Sequence, residues 1–305
     1  MDAYSQRALS AAVQSARSLG LRCDDHPTIL RDAANLLLHL RPGPVVARVA
    51  TTTALVRRPI EQWLRRDLEM ARYLVAQNFP VVPPSAELPP GPHLHDGFAL
   101  SFWQYVEHDP DYIASADETT ALLRDMHHGL RGYPGKLGHL SPFYELPGWL
   151  EVAVQIGALH ADDASMLGRA HAEIAARVEA RTAASGLSEQ PLHGDAHRKN
   201  LLKTPHGLLW TDFEDCCRGP VHWDVACFAR AAAEGREAAV ASCNRSLLES
   251  DRASAGISAL DLAPFFDARD LQGTIWLPIL ATRFADRRSL AAEWLATARS
   301  RYAGR

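Results

Sequence analysis

The chain has 305 residues and a formal net charge of −4, so no excess of basic residues suggests a nucleic-acid partner. Hydrophobic residues make up 47% and charged residues 22% of the chain, a globular composition whose length suggests two lobes or domains. No apolar run approaches the ~20 residues of a membrane-spanning helix, and no signal peptide is recognisable. Five cysteines without a CxxC pair predict reduced thiols in a cytoplasmic protein that has no membrane partner.

The first third of the chain is predicted to be rich in strands. Apolar residues at spacings of three and four near the N-terminus predict an amphipathic helix. Its apolar face comprises Leu9, Val13, Ala16 and Leu19. Short apolar runs at 28–30, 35–40 and 44–50, separated by the turn-like stretches RDAA and RPGP, predict three strands. A long helix is predicted to start at Pro59, and a further strand is predicted over 98–108.

The remaining two thirds are predicted to be mostly helical. Helical patterns cover about 117–182, with an interruption rich in glycine and proline at 132–148, and they return over 222–303. Two short strands are predicted between these regions, around Asn200–Lys203 and Leu208–Asp212, on either side of the turn TPHG.

The densest group of polar side chains lies in LHGDAHRKNLL, residues 192–202. His193 precedes Asp195 by two positions, and Asn200 follows Asp195 by five. One loop with this spacing can aim a carboxylate at an attacking hydroxyl and an amide oxygen at a metal ion. The protein-kinase catalytic loop, H-R-D-x-x-x-x-N, has the same two offsets.

A second polar group follows in LLWTDFEDCCRGPVHWDVACF, residues 208–228. Asp212 ends an apolar strand and is followed by Phe213, as in the D-F-G segment of kinases, although Glu214 replaces the glycine. An amide oxygen of Asn200 and a carboxylate of Asp212 would suit magnesium, which keeps several waters and takes further ligands from phosphate.

Together, HGDAHRKN, DFED and GPVHWDVA resemble the aminoglycoside phosphotransferase and choline kinase-like family of small-molecule kinases, which shares the protein-kinase-like fold. The resemblance implies that Asp195 is the catalytic base and that Asn200 and Asp212 hold magnesium. His193 is counted with the catalytic residues, since it is expected to brace their loop through a backbone hydrogen bond.

Two more positions follow from the same resemblance. Asp224 of GPVHWDVA corresponds to the buried aspartate that braces the catalytic loop, although Val225 stands where the family usually has leucine. His127 of LRDMHHGL corresponds to the histidine of the family's leucine-histidine helix.

The nucleotide is expected to bind the N-terminal part of the chain. Arg48 of VVAR stands where kinases carry the phosphate-binding lysine of V-A-I-K, and a guanidinium can bind phosphate through two hydrogen bonds. The following helix offers Glu69, or alternatively Asp67, as its acidic partner.

Two further segments complete the expected nucleotide site. No G-x-G-x-x-G loop is present, so LRDAAN, residues 30–35, is the candidate cover for the phosphates, with Asn35 at its end. The stretch SFWQYVEH resembles the hinge strand of kinases, which implies that adenine bonds the backbone of Gln104 and Val106.

Other interpretations remain open at this stage. His193 and His197, four residues apart, could be zinc ligands of a metallohydrolase, but no H-E-x-x-H motif is present and that reading does not need Asn200. A degenerate kinase that binds nucleotide without turnover is supported only by Arg48. His197 and Glu214 are candidates for a contact with substrate or metal, and a solvated role is an equal alternative.

The resulting hypothesis is a bilobal, protein-kinase-like α+β fold. A small antiparallel-sheet lobe is expected over residues 1–103, a hinge over 104–106 and a larger, mostly helical lobe over 107–305. The expected reaction moves the γ-phosphoryl group of ATP, with Mg²⁺, to a hydroxyl of a small molecule.

The charge of the C-terminal region bears on the acceptor. Residues 229–305 carry eleven arginines against nine carboxylates, whereas a polycationic aminoglycoside needs a carboxylate-rich pocket. A neutral or singly charged hydroxylated metabolite is therefore the predicted acceptor, with aminoglycosides poor or inert.

Overall fold

A five-stranded antiparallel sheet forms in the first third of the chain. The computed structural model describes residues 1–184, 189–230, 232, 235–248 and 259–303. The strands lie in the order β1-β2-β3-β5-β4. They are β1 (Thr28–Asp32), β2 (Asn35–His39), β3 (Val45–Ala50), β4 (His93–His95) and β5 (Phe98–Gln104). Three helices accompany the sheet: α1 (Ala3–Ser18), α2 (Thr53–Val56) and α3 (Glu61–Ala76).

The alternation of side chains along β3 decides where Arg48 lies. Val45, Ala47 and Val49 are fully buried in one hydrophobic cluster with α1. Because side chains alternate between the faces of a strand, Val46 and Arg48 lie on the opposite face. Both line a large cavity there.

The rest of the chain is mostly helical, with two small two-stranded sheets. The helices are α4 (Ala116–Leu130), α5 (Ser141–Tyr144), α6 (Leu146–Gln155), α7 (Ala161–Ala184), α8 (His222–Arg230), α9 (Arg236–Leu248), α10 (Ala259–Ala281) and α11 (Arg288–Tyr302), with 3₁₀ turns at Arg198–Asn200 and Ala285–Arg287. The strands are β6 (Gln190–Leu192), β7 (Leu201–Thr204), β8 (Gly207–Trp210) and β9 (Cys217–Gly219). β6 pairs with β9, and β7 pairs with β8.

Helix α10 is the centre of the helical part, since it packs against α6, α7, α8 and α11. Trp223 and Phe228 of α8 and Phe265 of α10 are buried in the same hydrophobic cluster. All five cysteines are free thiols. Among the described residues, no helix is both long and apolar enough to cross a bilayer.

The elements depart from the sequence prediction in a few places. The helix expected from Pro59 begins at Glu61, and Leu19 lies just beyond the end of α1, where it is exposed. The pairing of β6 with β9 was not predicted, because strands of three residues are too short to show a periodic pattern. The expected lobe boundary near residue 103 falls at the end of β5 and stays a prediction.

Candidate active site

The HGD segment is held by a buried carboxylate. Asp224, in the first turn of α8, accepts the backbone N–H groups of His193 at 3.0 Å and Gly194 at 2.9 Å. It also contacts Nε2 of His127 on α4 at 2.8 Å. Burial opposes ionisation of Asp224, but these hydrogen bonds outweigh it and hold the pKa of the carboxyl below its usual range. Asp224 and His127 thus have the contacts expected of residues that brace the loop.

Gly194 allows the loop to fold against the segment after β8. Its φ is +86°, and a Cβ at this position would lie 1.8 Å from the carbonyl oxygen of Asp215. The left-handed conformation and the close backbone approach both require glycine.

His193 uses both nitrogens of its ring inside the protein. Nε2 lies 3.1 Å from the carbonyl oxygen of Thr211, and Nδ1 accepts the backbone N–H of Asp195 at 3.3 Å. These contacts assign the proton to Nε2, and burial lowers the pKa of the imidazole. His193 therefore positions Asp195, and neither nitrogen is left to bind a metal as the metallohydrolase interpretation requires.

The carboxylate of Asp195 faces the cavity and is paired on both sides. Oδ1 accepts a hydrogen bond from Arg269 on α10, and Oδ2 lies 3.3 Å from Nε2 of His197. Burial works against ionisation, but the charges of His197 and Arg269 outweigh it and hold the pKa of Asp195 well below its usual range. His197 therefore contacts the proposed base itself.

Asn200 and Asp212 supply oxygen donors near Asp195. Asn200 donates from Nδ2 to the Asp195 carbonyl at 3.0 Å. Its side-chain oxygen is therefore left to coordinate a metal ion. Asp212 has a φ of +71°, uncommon for a residue other than glycine and frequent at functional sites. Both residues line the cavity.

Arg48 crosses from the sheet to the segment after β8. NH1 lies 2.9 Å from Asp67, and NH2 lies 2.7 Å from Asp212 and 2.8 Å from Glu214. The acidic partner on α3 is thus Asp67, the alternative considered above. Glu69 is exposed, because it lies two residues further along the helix and faces away from the sheet. The expectation that Glu69 pairs with Arg48 was wrong.

A second buried arginine was missed by the sequence reading. Arg57 contacts Glu145 at 3.3 Å, Glu214 at 3.5 Å and also Asp215. Asn35 approaches the same Glu214 at 3.4 Å. No sequence signal singled out Arg57, which lies between a four-residue helix and the start of α3.

The donor set fits magnesium. Arg48 and Arg57 face five carboxylates, three of which line the same cavity as Asn200, so these carboxylates outnumber the two guanidinium groups. The carboxylates are Asp67, Glu145, Asp212, Glu214 and Asp215. Oxygen donors with net negative charge suit a hard divalent cation. Asn200 and Asp212 stay the predicted ligands, and Glu214 contacts the same NH2 group of Arg48 as Asp212.

A cavity of about 480 Å³ extends from Asp195, Asn200 and Asp212 to the expected hinge. Gln104, Tyr105 and Val106 line its other end, together with apolar side chains from β2, β3 and β7. The backbone N–H of Gln104 donates to Pro83, and the Val106 carbonyl accepts from His108 Nδ1 at 2.9 Å. An adenine ring would therefore have to use the Gln104 carbonyl and the Val106 N–H.

The expected phosphate cover is the tight turn between β1 and β2. The strand continues through Asp32, and Ala33 and Ala34 make the turn before Asn35 opens β2. The turn is tied down, because the Ala34 carbonyl accepts from Thr53 N–H and from Thr51 Oγ1. Ala34 and Asn35 line the cavity.

Away from the hinge, the cavity is lined by helical residues to which the sequence analysis assigned no functional role. Positions i, i+3, i+4 and i+7 of α10 share one face and line the cavity. They are Arg269, Gln272, Gly273 and Trp276, joined by Arg230 of α8 and Trp149 of α6. The helical spacing was the available signal, but the same spacing also fits a buried core face.

Known proteins share this fold over nearly the whole chain. An amicoumacin kinase in complex with AMP-PNP and Ca²⁺ has a TM-score of 0.68 at 15% identity, covering 98% of this chain and 96% of that one. A choline kinase from Cryptosporidium parvum has a TM-score of 0.64 at 12% identity, covering 94% of this chain and 93% of that one. An aminoglycoside phosphotransferase from Streptomyces rimosus has a TM-score of 0.59 at 15% identity, covering 89% of this chain and 99% of that one. The predicted protein-kinase-like fold is thereby confirmed.

Comparison by sequence adds the family. No curated protein matches the chain. The profile described as "Phosphotransferase enzyme family" matches residues 28–261, well over half of the chain and including the HGD loop, Asp212 and Asp224. The chain belongs to this phosphotransferase enzyme family.

Proposed function

We propose that this protein transfers the γ-phosphoryl group of ATP to a hydroxyl of a small molecule with the help of Mg²⁺. One observation carries the proposal: Asp195, Asn200 and Asp212 line the same cavity as the hinge backbone at 104–106. A base, two metal-binding oxygens and a nucleotide-sized space are therefore continuous. We also propose a cytoplasmic location, since five free thiols suit a reducing compartment.

In the proposed reaction Asp195 orients the acceptor. Its carboxylate accepts a hydrogen bond from the attacking hydroxyl and takes the proton as that oxygen bonds to the γ-phosphorus. The bond from the γ-phosphorus to the bridging oxygen breaks, and the electron pair leaves with ADP. Bound Mg²⁺ would neutralise phosphate charge, and Asn200 and Asp212 are the residues that would hold it. Most of the acceleration comes from positioning and electrostatics.

The nucleotide is proposed to lie between the sheet and the helical part. Adenine would bond the backbone of Gln104 and Val106, and Arg48 would bind the phosphates that are not transferred, held in place by Asp67. Asn35 borders the phosphate end through its contact with Glu214. This assignment keeps Arg48 in the role that the resemblance to kinases implies.

Acceptor-dependent ADP release from Mg²⁺-ATP tests the proposal on a panel of hydroxylated metabolites. Asp195→Asn should lower turnover by on the order of 10²-fold while ATP affinity barely changes, because Asp195 contacts the acceptor. Asp286→Asn is the matched control, since Asp286 is exposed and pairs with the neighbouring Arg287. Tight ATP binding without any acceptor-dependent ADP release would instead indicate a degenerate kinase.

A further inference from the structure

Two arginines lie at the end of the cavity that faces Asp195. Arg269 comes from α10 and Arg230 from the last residue of α8, and both line the cavity. Gln272 and Trp276 follow Arg269 on the same face of α10, and Trp149 of α6 lies 5.4 Å from Trp276 between ring centroids. This end therefore presents guanidinium groups beside an aromatic wall.

Arg269 is buried and held in one position. Its side chain is 9% exposed, NH1 donates to Gln272 at 2.6 Å, and NH2 donates to Asp195. The guanidinium lies 5.5 Å from the centre of the Trp223 ring. Its Nε–H is buried and finds no hydrogen-bond partner in the described part of the protein. An unpaired N–H on a buried guanidinium costs free energy, so the site favours a further acceptor atom.

Arg230 is built into the same wall. Its Nε donates to Asp270 at 2.7 Å, and its guanidinium lies 4.9 Å from the centre of the Trp294 ring. Gly273 makes room for it, because a Cβ there would lie 2.7 Å from both Arg230 and Trp294. Burial and the charge of Arg269 both lower the pKa of Arg230, as expected for two cations that face one another.

Among the residues that the structure describes, the cavity walls carry more basic than acidic side chains. They include six basic side chains and four carboxylates. The basic residues are Arg31, Arg48, Arg57, Lys199, Arg230 and Arg269. The carboxylates are Asp195, Asp212, Glu214 and Asp215. Neither α8 nor α10 contributes a carboxylate to the walls, so a cationic acceptor would meet two arginines there.

We propose, on the basis of the proposed phosphotransferase function, that the acceptor is a hydroxy acid whose carboxylate binds Arg269 and Arg230. Its remaining carbon atoms pack against Trp149 and Trp276. When the carboxylate takes the NH2 group of Arg269, Oδ1 of Asp195 becomes available to the acceptor hydroxyl. That hydroxyl then bonds the γ-phosphorus, its proton passes to Asp195, and ADP leaves. When the acceptor has no carboxylate, NH2 of Arg269 stays hydrogen-bonded to Oδ1 of Asp195.

Matched acceptors separate this proposal from a general phosphotransferase. Each pair differs by one carboxylate: homoserine and 3-amino-1-propanol, serine and ethanolamine, mandelate and benzyl alcohol. In every pair of which at least one member is phosphorylated, the acid should have at least a tenfold higher kcat/KM for ADP release with Mg²⁺-ATP. Tenfold corresponds to about 1.4 kcal/mol, which one charge-assisted hydrogen bond in a buried site can supply. Equal use of both members, or a preference for the amine or alcohol, would overturn it.

Three variants test the arginines. Arg269→Gln and Arg230→Gln should bring the acid-to-alcohol ratio of kcat/KM towards one. Arg236→Gln is the matched control and should keep the ratio, since Arg236 also contacts Asp270 but does not line the cavity. If Arg269 only positions Asp195, Arg269→Gln will lower turnover of both members equally and leave the ratio unchanged, which contradicts the proposal.

Binding gives a readout that does not depend on turnover. In the presence of AMP-PNP and Mg²⁺, the hydroxy acids should raise the melting temperature of the parent protein and fail to do so for Arg269→Gln. Such binding without ADP release would support the carboxylate subsite and contradict the phosphotransferase proposal. ADP release with alcohols and no stabilisation by any acid would leave the phosphotransferase proposal standing and overturn the subsite.

Discussion

Arg48 and Asp67 form a buried ion pair, 2.9 Å apart, between β3 and α3. The other carboxylate oxygen of Asp67 accepts the backbone N–H of Phe213 at 2.8 Å. Asp67 therefore contacts both Arg48 of the sheet and the segment that carries Asp212. Arg48 in turn lies between Asp67 and Asp212. Arg48, which was predicted to stand at the position of the kinase lysine, thus contacts three carboxylates of the candidate site.

Removal of the Arg48 guanidinium should weaken nucleotide binding. Arg48→Ala takes away the charge proposed to bind phosphate and leaves Asp67, Asp212 and Glu214 without their shared partner, so we expect ATP affinity to fall by at least about tenfold. Arg48→Lys should retain part of the affinity, because it keeps the charge and loses the fork. Calorimetric titration with ATP and Mg²⁺ measures both, with the exposed Arg58→Ala as control. Unchanged ATP binding in Arg48→Ala would rule out the phosphate role.

Asp212 should control the effect of magnesium on ATP binding. Asp212→Ala removes a carboxylate ligand, and the affinity for ATP should then be nearly the same with and without Mg²⁺. Titrations of parent and variant under both conditions give the comparison. Asp111→Ala, at an exposed loop position, serves as control. A variant that keeps the full magnesium dependence of the parent would exclude Asp212 as a ligand.

Gly194 should tolerate no side chain. Gly194→Ala places a Cβ against the Asp215 carbonyl at a positive φ, and we expect a loss of about 2–3 kcal/mol in the free energy of unfolding. Gly168→Ala is the matched control, because Gly168 lies inside α7 and the nearest atom to its Cβ is 3.8 Å away. That change should stabilise by about 0.5–1 kcal/mol. Urea unfolding measures the free energy of unfolding of both variants and of the parent. Equal values for Gly194→Ala and Gly168→Ala would contradict the prediction.

His222 should make the protein sensitive to acid. Burial and the charge of Arg181 lower the pKa of His222 from 6.5 to about 4. Between pH 6.5 and about pH 4 the imidazole of His222 binds a proton in the unfolded chain but not in the folded protein. The contribution of the neutral His222 to the free energy of unfolding is therefore fully present above pH 6.5 and declines as the pH falls towards 4.

His222→Phe isolates this contribution, since the ring already lies 5.8 Å from that of Phe265. The parent should lose on the order of 1–2 kcal/mol more than the variant between pH 7.5 and pH 5. Urea unfolding at the two pH values provides the measurement, with the exposed His26→Phe as control. Parallel losses in parent and His222→Phe would show that another group is responsible.

The sequence by itself singled out the polar residues of 192–228 as a candidate site. Asp195 and Asn200 were predicted from their spacing, Asp212 from its place at the end of an apolar strand, and Asp224 from the resemblance to the kinase family. They lie close together because a loop, a short hairpin and the start of a helix follow one another in the chain. The same locality made β1 to β3 and the main helices recognisable, since their apolar periods are set within each element.

Only the tertiary structure decided which distant residues join that site. The choice of Asp67 over Glu69 depends on the rotation of α3 against the sheet, and Arg57 becomes a buried partner through contacts about 90 and 160 residues along the chain. Arg269 reaches Asp195 across 74 positions. A helical face that binds a ligand and one that packs in a core have the same period, and only the packing of α10 against α8 and α6 distinguishes them.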